Sequence, residues 1–128
     1  MEILLDTHFI LWTLLTPAKL SPQARTLIND PLNELVFSIA SLWEIAIKRA
    51  VGSPRFQADP RILRSTMLSS SYIELPVLGE HAVAIAGLPP IHKDPFDRLL
   101  IAQASVEGIL FLTADRVVAR YPGPIRLI

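Results

Sequence analysis

Asp94-Pro95-Phe96-Asp97-Arg98-Leu99-Leu100-Ile101-Ala102-Gln103-Ala104-Ser105-Val106-Glu107-Gly108-Ile109-Leu110-Phe111-Leu112-Thr113-Ala114-Asp115 is the stretch that decides the fold class. Asp94-Pro95 is a helix start: a carboxylate able to cap the first free amides, then a proline whose fixed φ suits the first helical position. Leu99, Leu100, Ala102, Gln103 and Val106 make a broad, mostly apolar stripe that carries the helix through Val106, and Gly108 closes it. Ile109 to Leu112 contain no polar residue, which is the pattern of a strand buried on both faces. Helix, glycine, buried strand and acid together read as part of a parallel βα unit.

The same alternation extends outward. Ile3-Leu4-Leu5 is a short apolar run ending at Asp6, and residues 8–15 are apolar at near-helical spacing up to Pro17. Ser21-Pro22 starts a helix that ends near Asn29-Asp30-Pro31. Leu35-Val36-Phe37 reads as a strand, and Ser38 or Ser41 opens a helix through Ala50, closed by Gly52. A loop over 52–58 leads to a helix from Asp59-Pro60 to about Ser69, then a strand over 72–75 and a helix over roughly 79–87. Residues 87–93 show no periodicity. Thr113-Ala114-Asp115 leads into a short helix, and Ile125-Arg126-Leu127 reads as an edge strand. Strands separated by helices imply parallel pairing with right-handed crossovers. The expected class is therefore α/β, a central, mostly parallel sheet of four or five strands flanked by helices, in one domain over 1–128.

Composition narrows the function. With 51% apolar residues, the 128-residue chain can build a core without staples, and the absence of cysteine excludes disulfides and thiolate metal sites. A reducing cytoplasm suits that composition. No signal peptide is expected at the N-terminus, and no apolar stretch is long enough to span a bilayer. Twelve basic residues balance twelve acidic ones, so a protein meeting nucleic acid here would need a bound cation and local arginines to attract phosphate. The high apolar fraction also leaves surface for another chain to cover.

Ligands of parallel sheets bind at the carboxyl ends of the strands, which makes Asp6 and Asp115 the first candidates for chemistry. Each also fits a helix N-cap. Glu44 is the one acid among Ala40-Ser41-Leu42-Trp43-Glu44-Ile45-Ala46-Ile47. It reads either as an exposed partner of Lys48, worth about 0.3–0.5 kcal/mol, or as a side chain turned toward the strand ends. Asp94 is explained by capping, whereas Asp97 stands at the head of the buried stripe. Four such acids at one edge repel: two charges about 4 Å apart cost roughly 4 kcal/mol at an effective dielectric of 20. No buried lysine or arginine is evident to neutralise them. A hard divalent cation with oxygen ligands, Mg²⁺ or Mn²⁺, would do so. His8, His81 and His92 lack zinc-ligand spacing, and no phosphate-cradling glycine motif is present. A phosphoacceptor domain would need further acids beside Asp6 that are absent from Asp6-Thr7-His8.

Leu4-Leu5-Asp6-Thr7-His8, Ser41-Leu42-Trp43-Glu44-Ile45-Ala46-Ile47-Lys48, His92 to Ala104 and Leu112-Thr113-Ala114-Asp115 resemble, in order and spacing, the PIN-domain family, and within it the VapC-type toxins of toxin–antitoxin pairs. The resemblance covers nearly the whole chain. It implies a PIN-like three-layer fold and a cytoplasmic endoribonuclease that needs Mg²⁺ or Mn²⁺, cuts single-stranded RNA and is silenced by a cognate antitoxin. It carries the family's acids onto Asp6, Glu44 and Asp97, and a fourth, more variable acid onto Asp115. It also implies a homodimer, for which the helices at 8–15 and 21–29 would supply apolar faces. Thr7 and Thr113 would orient ligands or a water, and Arg98 and Arg116 are candidates for phosphate contact. A catalytically weak PIN domain that only binds RNA or its partner is the alternative.

Overall fold

A computed structural model describes residues 1–128. Its strands β1 (Glu2–Leu5), β2 (Glu34–Ser38), β3 (Ile73–Leu75), β4 (Leu110–Thr113) and β5 (Ile125–Leu127) form one sheet in the order β3-β2-β1-β4-β5. Every neighbouring pair is parallel. The chain builds outward from β1 through β2 to β3, then crosses back to place β4 on the other side of β1. The reversal lies between β1 and β4, the crevice where open α/β sheets hold ligands.

The apolar runs are continuous because both faces of the sheet are covered. On one face Ile3, Leu5, Leu35, Phe37 and Leu112 pack with Phe9, Ile10, Ile45, Leu63 and Met67. On the other, Leu4, Val36 and Phe111 pack with Leu99, Leu100, Ile101 and Ala104. Successive residues of one strand thus enter opposite cores, as the two-residue period of a strand requires. The first core is capped by α1 (Thr7–Leu15), α2 (Pro22–Asn29) and α4 (Pro60–Ser69). The second is capped by α6 (Pro95–Glu107), while α3 (Ile39–Ala50) contributes Ile45 to the first core and Ala40 to the second. No helix is long and apolar enough to cross a membrane.

Helix starts follow the sequence. Ser21, Asp59 and Asp94 each accept a backbone N–H of the turn they open, and each is followed by proline. Of the two serines open as starts for α3, it is Ser38 that caps, accepting from the Ala40 amide at 3.0 Å. The helix expected over 79–87 is shorter: α5 spans Gly79–Ala84 and tightens into a 3-10 turn over Ile85–Gly87. The short helix after Asp115 is likewise one 3-10 turn, Val118–Arg120.

Of the helices at 8–15 and 21–29, Phe9, Ile10, Leu11 and Ala24 lie in the chain's own core, while Leu15 stays exposed. A further exposed apolar stripe runs along α3, where Ile39, Trp43 and Ile47 recur every fourth residue and are 40%, 57% and 40% exposed.

Gly108 ends α6 in the left-handed region (φ 66°, ψ 35°), and a Cβ built there would meet nothing within 4 Å. Its role is therefore backbone conformation alone. Gly108→Ala should lower stability by about 1 kcal/mol and Gly108→Asn by less, measured by chemical denaturation.

Candidate functional site

Asp6 leaves β1 while still tied to the sheet, its amide donating to the Leu112 carbonyl at 3.1 Å. Its side chain is 4% exposed. Oδ1 accepts from the His8 amide at 3.3 Å, so Asp6 does cap α1, and Oδ2 accepts from the Thr113 hydroxyl at 2.7 Å. Capping and a place at the sheet edge are compatible in one carboxylate, because each oxygen has two acceptor positions. The Thr113 hydroxyl also accepts from the Asp115 amide at 3.0 Å. One hydroxyl therefore sets the positions of two acids. Asp115 spends Oδ1 on the Val117 amide (2.8 Å), while its Oδ2 lies 3.8 Å from His92 Nε2.

Glu44 is 3% exposed, with the Thr7 hydroxyl donating to Oε1 at 2.7 Å and Lys48 Nζ donating to Oε2. Ser41 Oγ lies 3.0 Å from the Thr7 hydroxyl. The two sequence readings of Glu44 thus merge: the Lys48 pair forms, but it forms inward. The expectation that no lysine neutralises the acids is corrected for Glu44. Lys48 lies over the Phe56 ring, 4.6 Å from its centroid. Burial works against its charge, yet the Glu44 hydrogen bond and the charges of Glu44, Asp94 and Asp97 hold the ammonium above its ordinary range.

Asp97 occupies the centre of the cluster. Burial pushes its carboxyl up to about 8, and the charges of Asp6, Asp94, Glu44 and Asp115 push the same way. Burial also raises Asp6, against the opposing pull of the Thr113 hydrogen bond and His8. Asp94 accepts from the Phe96 and Asp97 amides at 2.8 and 3.3 Å, which is the capping role read from the sequence.

The grouping at the sheet edge contains a residue the sequence set aside. Ligand atoms of His92, Asp97 and Asp115 all lie within 4.8 Å of one another. His92 Nδ1 accepts from the Asp94 amide at 3.1 Å, so the neutral ring carries its proton on Nε2, facing Asp97 Oδ2 at 3.4 Å. His92 meets the acids as a hydrogen-bond donor. No spacing could reveal it, since residues 87–93 have no periodicity and the ring is placed by contacts outside the loop. Those contacts begin at Arg98. Its guanidinium donates to the Pro89 carbonyl (2.9 Å) and the Tyr121 hydroxyl (3.1 Å), and that hydroxyl accepts from the His92 amide at 2.6 Å. Arg98 braces the loop that holds His92, so its donors are turned away from any phosphate at the acids. Arg116 is exposed at the rim. A second cluster, Glu80, His81 and Glu107, lies away from the sheet edge. There His81 Nδ1 accepts from the Leu78 amide at 3.0 Å, leaving Nε2 to donate to Glu107.

A model of the PIN domain matches residues 3–124 of the chain. The chain belongs to the PIN-domain family. Solved structures share the fold of this PIN domain. VapBC2 from Rickettsia felis, bound to a DNA fragment from its promoter, superposes with a TM-score of 0.75 at 13% identity, covering 100% of this chain and 99% of that one. VapC20 from Mycobacterium tuberculosis, described as a Sarcin-Ricin loop cleaving toxin, gives 0.60 at 18% identity, covering 94% and 96%. VapBC-5 from the same organism gives 0.60 at 19% identity, covering 99% and 97%. No curated protein sequence matches the chain.

The donor set of this PIN domain fits a hard divalent cation. Its side chains offer carboxylate oxygen and no sulfur, and burial, with repulsion from the neighbouring acids, pushes the Asp97 carboxyl up to about 8. The same repulsion acts on stability. A carboxyl raised in the folded state favours folding below its unfolded pKa of 3.8 and loses that advantage as pH rises toward about 8. Asp97→Asn should therefore raise the metal-free melting temperature, by more at pH 8 than at pH 4, as calorimetry in chelator would show. An equal effect at both values would contradict the raised carboxyl. Asp94→Asn should keep the cap and leave stability nearly unchanged, whereas Asp94→Ala should cost about 1 kcal/mol in a denaturant titration.

Proposed function

We propose that this PIN domain is a Mg²⁺- or Mn²⁺-dependent endoribonuclease, the toxin of a toxin–antitoxin pair, hydrolysing phosphodiester bonds of single-stranded RNA. The observation that carries the reading is the gathering of acids at one sheet edge, where Thr113 ties Asp6 to Asp115 and ligand atoms of Asp97, Asp115 and His92 lie within 4.8 Å of one another. Such an arrangement is costly without a cation, and it stands at the crevice where parallel sheets place their chemistry.

Asp6, Asp97 and Asp115 would hold the ion, with Glu44 behind them as a further oxygen donor. When bound, the cation would supply an activated water and stabilise charge developing on the phosphate. The chain's own residues set the geometry. Thr113 keeps Asp6 and Asp115 turned to the same edge. Thr7 and Lys48 hold Glu44, leaving its charge balanced. His92 presents Nε2–H beside Asp97 and Asp115, where it can donate to a phosphate oxygen. In the hydrolysis, the water oxygen forms a bond to phosphorus, the bond from phosphorus to the ribose oxygen breaks, and the proton the water gives up is balanced by one taken up on the leaving ribose oxygen.

The reading includes an antitoxin partner, a homodimer and a cytoplasmic location. The VapBC likenesses and the cysteine-free composition support it, and the α3 stripe of Ile39, Trp43 and Ile47 is apolar surface that this chain's core does not use.

Purified protein should cut unstructured RNA only with added Mg²⁺ or Mn²⁺, and Asp6→Asn and Asp97→Asn should each reduce the rate by at least about a hundredfold, the scale of losing a group that stabilises the transition state. Full cleavage in chelator would remove the metal from the mechanism. RNA bound but never cut by the wild-type protein would instead favour a binding module.

A further inference from the structure

The acid cluster opens into a groove whose lining has the opposite character. A cavity of about 200 Å³ lined by Asp6, His8, Trp12, Arg55, Ala114 and Asp115 sits at the sheet edge. A second, of about 470 Å³, shares His8, Trp12 and Arg55 with it and continues along α1 past Leu15 to Lys19, with no acid in its lining. We propose that this groove seats the nucleotide next to the scissile phosphate, with Trp12 as the stacking platform for its base and Arg55 and Lys19 as contacts for its phosphates. The proposal rests on the nuclease reading above and names the part of the substrate that reading leaves open.

Three observations favour a single-stranded nucleic acid as the occupant. First, the acids repel a polyanion and the chain has no net charge to attract one, so attraction must be local. Arg55 and Lys19 supply it, because neither enters an ion pair, while Arg49, Arg64 and Lys48 are paired with Asp59, Glu74 and Glu44. Second, Trp12 is fixed in place. Phe9 meets it edge-on at 5.5 Å and His8 lies 6.0 Å away, one turn back on the same helix face. A braced aromatic ring beside free cations is the pairing that single-strand binders use, and only an unpaired base has a face free to stack. Third, Arg55 borders both cavities, so a strand lying on Trp12 is led directly to Asp6 and Asp115.

Binding is measured on the Asp97→Asn protein, so that cleavage does not intervene, with a hexamer of uridine as probe. The chain has two tryptophans, and adding Trp43→Phe leaves Trp12 as the only emitter. The hexamer should quench its fluorescence. Trp12→Leu, which keeps apolar bulk against Phe9, should weaken binding by about fivefold or more. Arg55→Ala and Lys19→Ala should each make the slope of log affinity against log salt shallower by about 0.7, the share of one phosphate contact to a single strand. In otherwise unaltered protein the same changes should act on KM rather than kcat. Quenching that is absent, or an affinity and salt slope that these substitutions do not move, overturns the proposal. If cleavage persists in that case, the nuclease reading stands and the groove serves another occupant, such as a partner's peptide. If quenching and salt slope behave as expected but no RNA is cut, the groove stands and the nuclease reading falls.

Discussion

Two adjacent parallel strands, buried on both faces, end in carboxylates. β1 runs into Asp6 and β4 into Thr113 and Asp115, so the sheet delivers charged groups to one edge, where Asp6 is buried and Asp115 is half exposed. A buried polar group left unpaired costs about 1–3 kcal/mol, more if charged. The hydrogen bond from Thr113 to Asp6 meets that constraint across the sheet, joining residues that are 107 positions apart. Because the same hydroxyl accepts from the Asp115 amide, strand pairing between β1 and β4 and the spacing of the two acids are set together. A shift of register by one residue would break both.

Compensation is unequal across the cluster, and the inequality separates roles. Glu44 is satisfied twice, by Thr7 and Lys48. Asp6 has Thr113 and the His8 amide. Asp97 has only the His92 ring at 3.4 Å, and burial, reinforced by four other acids, pushes its carboxyl far above the usual range. Proteins keep such arrangements where function needs them, at a cost in stability elsewhere tolerated by the core. Here two apolar clusters, one on each face of the sheet, carry that cost.

The rest of the polar interior acts as bracing. Arg98, Tyr121 and the carbonyls of Pro89 and Ile85 hold the loop that presents His92. One turn and a half along α6, Gln103 bonds Ser38 at the end of β2 and the Pro76 carbonyl after β3. Gln103 interrupts what reads as an apolar stripe because its amide joins the ends of two strands, accepting from the buried Ser38 hydroxyl and donating to the Pro76 carbonyl. α6 thus aligns the loop, the strand ends and Asp97 as one rigid unit.

Local chemistry wrote most of the architecture into the sequence. The caps at Ser21, Asp59 and Asp94, the glycine after α6 and the uninterrupted strands are properties of neighbouring residues, and they suffice for a parallel sheet with Asp6 and Asp115 at its carboxyl edge. The placement of Asp97 at the head of the buried face followed from helical periodicity in the same way. What the sequence could not settle depended on residues far apart in the chain. Whether Lys48 and Glu44 pair in solvent or inside turns on which face of α3 meets the strand ends. Arg98 reads as a free cation until the Tyr121 hydroxyl and two loop carbonyls arrive beside it. His92 belongs to the site only through contacts with Tyr121 and Asp94, and Arg55 lines one cavity with Trp12 and Asp6 only because the loop before α4 folds back toward α1. Periodicity reports the direction of a side chain from its own helix or strand; its partners are fixed by packing between elements, and that is decided in three dimensions.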